Sequence, residues 1–257
     1  LVTSPVISGL ITMVWLWFFT ASCTSLSPSA ALTTALAVPS LAVLVHEDGA
    51  REILQRSIAE DGRMSIPLNG SAKIEIVDNS RTFSDVPAAN WASEAVTFAA
   101  ARELFSGTSE TTFSPDETMS RAMLATVLYR LEGQPEQTAA SAYSDVSSDA
   151  WYADSVAWAV ENGIASGYGD GQFGPNDSVT REQFVVMLWR YMGSPKAGRR
   201  DLEFADADQI SDYAQEALCW AVENGVLNGN DSGQLVPGGT ATRAEAAQML
   251  KNFMEII

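Results

Sequence analysis

Met119-Ser120-Arg121-Ala122-Met123, Val179-Thr180-Arg181-Glu182-Gln183 and Ala241-Thr242-Arg243-Ala244-Glu245 are three versions of one stretch, with their arginines 60 and then 62 residues apart. Outward from it, each arginine follows a glycine by 14 residues (Gly107, Gly167, Gly229). Further upstream each unit opens on an aromatic and an aspartate: Phe83/Asp85, Tyr143/Asp145 and Phe204/Asp206. A period near 60 that keeps aromatics, glycines and a cation in register signals one supersecondary unit used three times, whose copies share a core and need not be stable singly.

Within each unit the pattern predicts two helices. A first helix is expected to start near Trp91, Trp151 or Tyr213, with apolar positions at helical spacing: Trp91, Ala95 and Phe98, then Trp151, Ser155 and Trp158. Gly163 and Gly225 follow Glu161-Asn162 and Glu223-Asn224, where a left-handed residue would end that helix. A glycine-rich loop runs to Pro115, Pro175 or Pro237, and the second helix begins at Ser120, Thr180 or Thr242. Thr180 with Gln183 and Thr242 with Glu245 form capping boxes, which the first unit, with Met123, lacks. The second helices then present apolar faces such as Leu124, Val127, Leu128 and Leu131. Six modest helices in three hairpin-like pairs indicate an all-α assembly with a core shared between repeats.

The flanking sequence reads differently. No charged residue occurs from Leu1 to Val45, and Val6 to Phe19 is almost wholly apolar, shorter than a membrane-spanning helix requires. Residues 1–40 are therefore expected to be an export leader on a truncated or misassigned start, with Ala35-Leu36-Ala37 or Thr20-Ala21-Ser22-Cys23 as processing sites. The competing reading is a hydrophobic strand or core piece of a lost upstream domain. Residues 41–80 hold short Val- and Ile-rich runs, Leu41–Val45, Glu52–Leu54, Met64–Leu68 and Lys73–Val77, separated by Asp48-Gly49, Asp61-Gly62 and Asn69-Gly70. These are strand and hairpin signals, taken as the end of an upstream β domain with little to cover it. His46, the only histidine, is expected to be a solvated turn residue.

The chain's 15 Lys+Arg against 32 Asp+Glu give a net charge of -17, which disfavours nonspecific attraction to nucleic acid or anionic membrane. Two cysteines, Cys23 and Cys219, are too few and too distant for a disulfide framework or zinc site, and Cys219 reads as a buried thiol.

Phe/Tyr-x-Asp, the first-helix tryptophan, Gly167-Tyr168-Gly169-Asp170-Gly171-Gln172-Phe173 and the Thr-Arg-Ala-Glu-like stretch together resemble the S-layer homology (SLH) family in three copies, covering 81–134, 141–194 and 202–257. The second copy fits best. The first carries Glu103 where its siblings have glycine and Thr108-Ser109-Glu110-Thr111 in its loop; the third has Tyr213 for tryptophan and Asn230-Asp231-Ser232-Gly233. The resemblance implies an all-α, pseudo-threefold helical spindle with a central three-helix bundle, and a monomer whose three repeats assemble within one chain. It also implies a noncatalytic, cofactor-free anchor, extracellular at the cell wall or S-layer, for an anionic, pyruvylated secondary cell-wall polysaccharide attached to peptidoglycan. The membrane would be reached only through the leader, and any catalytic or adhesive cargo would lie outside this sequence. A structural surface-layer or protein-interaction module without direct glycan binding is the alternative.

Arg121, Arg181 and Arg243 each open a helix, where the macrodipole disfavours a cation by about 0.3–1 kcal/mol. Three such placements suggest a counter-anion, and the arginine fork with the free N–H groups of a helix start would make a carboxylate receptor. Each arginine could instead bridge to Asp85, Asp145 or Asp206, or to loop carbonyls, and tie a repeat to its neighbour. Trp91, Trp151 and Tyr213 could stack on sugar rings or fill the core. Trp158, Trp189 and Trp220, in apolar stretches, are assigned to the core. Gly107, Gly167 and Gly229 could let the loop, with Asp170, approach a ligand, or serve the turn alone.

Rival classes fail on spacing. With Gly171 or Gly233 as the sixth residue of an EF-hand loop, the twelfth is Asp177 or Gly239 rather than glutamate. The repeats contain no histidine, so no Ser-His-Asp or Cys-His set is available there. A glycosidase carboxylate pair is not excluded by composition, but the recurring acids lie at loops and helix starts.

Overall fold

The computed structural model describes residues 7–11, 40–60, 63–66, 72–138, 141–198 and 201–257. Both processing sites, Cys23 and most of the apolar run lie outside the described residues. The chain divides into two compact units, Leu1–Phe113 and Ser114–Ile257, so the boundary falls inside the first repeat.

In the first unit, strands β1 (Ile7–Ile11), β6 (Ala72–Asp78), β2 (Ser40–Val45) and β3 (Arg51–Leu54) form an antiparallel sheet in that spatial order. β4 (Ile58–Glu60) and β5 (Arg63–Ser65) make a separate hairpin. The run expected as one strand over Met64–Leu68 is thus shorter, and its last residues lie outside the described set.

Period-2 alternation on β2 sends Ala42 to a cluster with Met64, Ile66 and Ile74, and Leu41 and Val43 to the other side with Ala101 of helix α1 (Ser93–Ala101). The sheet is therefore covered on one face by the first repeat's own helix. Arg102, fully buried, fastens this packing. Its Nε and Nη2 donate to the Ser57 carbonyl at 3.2 and 2.6 Å, its guanidinium lies 3.7 Å over the Phe98 ring, and burial lowers its pKa to about 10. His46 sits exposed at the β2–β3 turn, 3.0 Å from Glu52.

The second unit holds α2 (Arg121–Leu131), α3 (Ala153–Glu161), α4 (Arg181–Tyr191), α5 (Gln215–Glu223) and α6 (Arg243–Met254). The second helices start where the caps require. Ser120, Thr180 and Thr242 each accept from the backbone N–H three residues on, and the boxes close at Gln183 and Glu245 only. The first helices begin later than expected, at Ser93, Ala153 and Gln215, leaving Trp91, Trp151 and Tyr213 in the preceding turn. Gly163 and Gly225 have φ of 67° and 72°, and Glu103 adopts 58° at the matching position in the first unit.

The helices of a repeat meet through side chains, Trp158 on Tyr191 and Trp220 on Phe253, while the closest backbone packing runs between repeats. Among the described residues α2 packs on α3 and α4 on α5, so a second helix lies against the first helix of the following repeat. Thr126 of α2 and Ser155 of α3 share a buried 2.7 Å hydrogen bond at that seam. Tyr129, Trp158, Tyr191, Phe253 and Trp220 form a chain of ring contacts with centroids 5.6–6.4 Å apart. Trp158, Trp220 and Cys219 are buried as expected. Trp189 is not: it is only half-buried, and its Nε1 donates to Pro195 O at 2.7 Å, tying down the linker.

At the other end the three cap segments close on one another. Met119 N donates to Ala241 O (2.9 Å), Ala241 N to Val179 O (3.0 Å) and Val179 N to Met119 O (2.8 Å). Around this cycle each helix start is capped by another repeat's loop. Arg121 N and Ala122 N donate to Asp177 O and Pro175 O, Arg181 N and Glu182 N to Gly239 O and Pro237 O, and Arg243 N and Ala244 N to Glu117 O and Pro115 O.

Candidate functional site

The backbone caps settle one part of the anion-receptor expectation. The first two N–H groups of each second helix donate to loop carbonyls, and the third is taken by the Ser or Thr cap. The helix starts therefore offer no free N–H cradle, because the loop that crosses each one supplies carbonyls instead.

The arginines are largely buried and serve the same loops. Arg121, 6% exposed, donates from Nε to Phe173 O (2.9 Å) and from Nη2 to Ser166 O (2.7 Å). Its guanidinium carbon lies 4.7 Å from the Phe173 ring and 4.9 Å from the Tyr168 ring. Arg181 donates to Leu235 O (2.8 Å) and to the Glu245 carboxylate (2.9 Å). Arg243 is buried as well.

The lead-in aspartate grips the same loop from the other side. Asp145 accepts from Phe173 N (2.8 Å) and Gly174 N (2.7 Å), Asp206 from Leu235 N (2.8 Å) and Val236 N (2.7 Å), and Asp85 from Phe113 N. One peptide is thus held at both poles, by the aspartate of its own repeat and the arginine of the preceding one. Burial pushes the Asp145 pKa up, but the Phe173 and Gly174 N–H groups and Arg121 outweigh it, so the carboxyl titrates below its ordinary range.

Gly107, Gly167 and Gly229 sit against the lead-in rings. A Cβ there would overlap Phe83, Tyr143 and Phe204 respectively, so close packing inside the repeat requires glycine at all three. Asp170 is exposed at the loop tip and accepts from Gln172 N at 3.0 Å.

Trp91, Trp151 and Tyr213 are 64%, 65% and 51% exposed, which removes the core alternative for them. In the second unit Tyr213 belongs to a larger constellation. Its hydroxyl donates to Glu182 Oε1 at 2.9 Å, and Glu182 also accepts from Ser211 Oγ (2.8 Å) and Ser211 N (3.1 Å). Glu182 is 6% exposed. Burial and then Glu182 push the Tyr213 pKa up to about 12, while Gln183 and Arg121 act in the opposite direction. Tyr168, half exposed, donates to Asp177 at 2.9 Å.

The Tyr168 ring thus lies 4.9 Å from the buried Arg121 guanidinium and the Tyr213 hydroxyl bonds the buried Glu182 carboxylate, parts contributed by the first, second and third repeats. Sequence reading missed Glu182, whose signal was available: it interrupts a position that is alanine in the other two repeats, Ala122 and Ala244.

A protein built this way is a three-repeat helical module with exposed aromatics at one repeated position. A family model for the S-layer homology domain matches residues 82–123, 142–185 and 203–247, and the chain belongs to that family. Similar proteins include the surface-layer 125 kDa protein of Lysinibacillus sphaericus (34% identical over 64% of this chain and 14% of the relative). Exoglucanase XynX of Acetivibrio thermocellus is 31% identical over 70% of this chain and 17% of its own length. Amylopullulanase of Thermoanaerobacterium thermosulfurigenes is 29% identical over 77% and 11%. The chain thus spans under a fifth of these relatives. The repeats are a noncatalytic surface-anchoring module with a cell-wall partner, and they place the protein outside the cell, at the wall or S-layer.

Proposed function

We propose that the repeats fasten the chain to the cell wall by binding an anionic secondary polysaccharide that carries pyruvylated sugars. The observation that carries this reading is the exposure of Trp91, Trp151 and Tyr213 at one position of every repeat. A large aromatic left in water is costly, and three at equivalent places suit stacking on sugar rings. In this reading Arg121, Arg181 and Arg243 supply the local positive field that a chain of net charge -17 needs beside an acid, and Arg121 and Arg181 hold the loops of Gly167, Asp170 and Gly229 in position. The cycle through Met119, Val179 and Ala241 supports a pseudo-threefold spindle built around α2, α4 and α6 in a monomer. The module recurs beside enzymes and surface-layer proteins alike, which fits an anchor indifferent to its cargo.

The test is retention of the full chain on wall sacculi with and without their secondary polymer. Retention that disappears with the polymer, and falls at least about tenfold in a Trp91→Ala, Trp151→Ala double variant, is expected. Undiminished binding to stripped walls would move the target to peptidoglycan or a wall protein.

A further inference from the structure

Glu182 lies among donors of the kind that hold a carboxylate. It receives a tyrosine hydroxyl, a serine hydroxyl and a backbone N–H at 2.8–3.1 Å, with Gln183 and the Arg121 guanidinium near enough to act on the same tyrosine. These are the donors an acidic sugar would recruit. Here the chain supplies the acid itself, from the residue following the repeated arginine. At the starts of α2 and α6 that residue is Ala122 and Ala244, with no side chain to reach out.

Charge reinforces the occupation. Around Tyr168 and Tyr213, Arg121 stands against Asp145, Asp177 and Glu182, one cation against three carboxylates. Arg121 already spends Nε and Nη2 on loop carbonyls. A second carboxylate entering beside Glu182 meets a like charge and finds the Tyr213 and Ser211 donors already taken.

We infer that the Arg121–Tyr168–Tyr213 site is self-occupied by Glu182 and rejects acidic sugars, so that the chain takes acidic groups only through its other repeat positions. This rests on the proposed binding of an acidic polysaccharide. The two exposed tyrosine faces remain able to stack on a neutral sugar ring.

The experiment titrates the full chain, wild type and with Glu182→Gln or Glu182→Ala, with a methyl hexoside bearing a pyruvate ketal and with its methyl ester. Binding is followed by calorimetry and by the NMR signals of labelled Tyr213. Glu182→Gln keeps an acceptor for Tyr213, and Glu182→Ala installs the residue of the sibling repeats, so at least one variant keeps the fold. In both variants the acid should gain a site at Tyr213 with affinity at least about tenfold above wild type. The ester should show no such gain. Binding of the acid by wild type without gain in either variant, or a Tyr213 response to the acid already in wild type, overturns the inference alone. Failure of all three proteins to bind the acid or polymer-bearing sacculi overturns the anchoring reading, and the inference with it.

Discussion

Truncating Asp145 to alanine should cost about 3 kcal/mol of folding stability. The side chain accepts two backbone hydrogen bonds, from Phe173 N at 2.8 Å and Gly174 N at 2.7 Å. A hydrogen bond to a charged group contributes about 1.5–3 kcal/mol. Because Asp145 is only half-buried, each bond takes the lower end of that range, and two give about 3 kcal/mol. Urea unfolding followed by tryptophan fluorescence would measure it, with an unchanged slope as the sign that only stability moved.

The acid limb supplies a second readout. Since the folded carboxyl titrates below its ordinary range, its contribution is present above about pH 3.9 and is lost as the pH falls through the depressed folded value. The variant should lack that limb. The Phe173 peptide also bonds to Arg121 through its carbonyl, so Asp145→Ala and Arg121→Ala should be non-additive by at least about 0.5 kcal/mol. A loss under about 1 kcal/mol for Asp145→Ala, or simple additivity, would refute the two-poled clamp.

Glu103 holds φ at 58° where Gly163 and Gly225 stand in the other repeats, so Glu103→Gly should raise stability by about 0.5–1 kcal/mol despite losing its exposed pairing with Arg81, visible as a higher Tm. Tyr213 should titrate near pH 12 by ultraviolet difference spectroscopy and shift toward 10 in Glu182→Gln. Its raised folded pKa gives a contribution to stability fully present below about pH 10 and lost as the pH rises through 12. Retention on polymer-bearing sacculi should hold or strengthen as salt rises to about 0.15 M, because a chain of net charge -17 is repelled by an acidic polymer until short contacts form; a steep loss would contradict short-range binding.

Much of the scaffold was legible because it is local chemistry. Thr180 with Gln183 and Thr242 with Glu245 announce their helix starts within four residues, and Gly163 and Gly225 their ends. The site was harder, since its parts come from different repeats. Arg121 serves the Phe173 loop of the second repeat and Arg181 the Leu235 loop of the third, so each works on a loop, 52 and 54 residues away respectively, that its own local pattern does not name. Helical spacing left stacking and core burial both open at Trp91 and Trp151; the helices begin two residues later and the rings are exposed. The free helix-start N–H groups were a local inference defeated by distant carbonyls such as Pro237 O and Gly239 O, which no local pattern reveals.

The donor–acceptor cycle of Met119, Val179 and Ala241 has a bearing on how such a molecule can evolve. An open stack can gain or shed a unit at either end and leave its remaining seams intact. A loop of three has no terminus at which to subtract: dropping any member strands one N–H and one C=O from the others, at a cost of about 1–3 kcal/mol for each group left without water. Copy number here is therefore fixed by closure, and change must come as substitution within a unit, as at Glu182, rather than by altering how many there are.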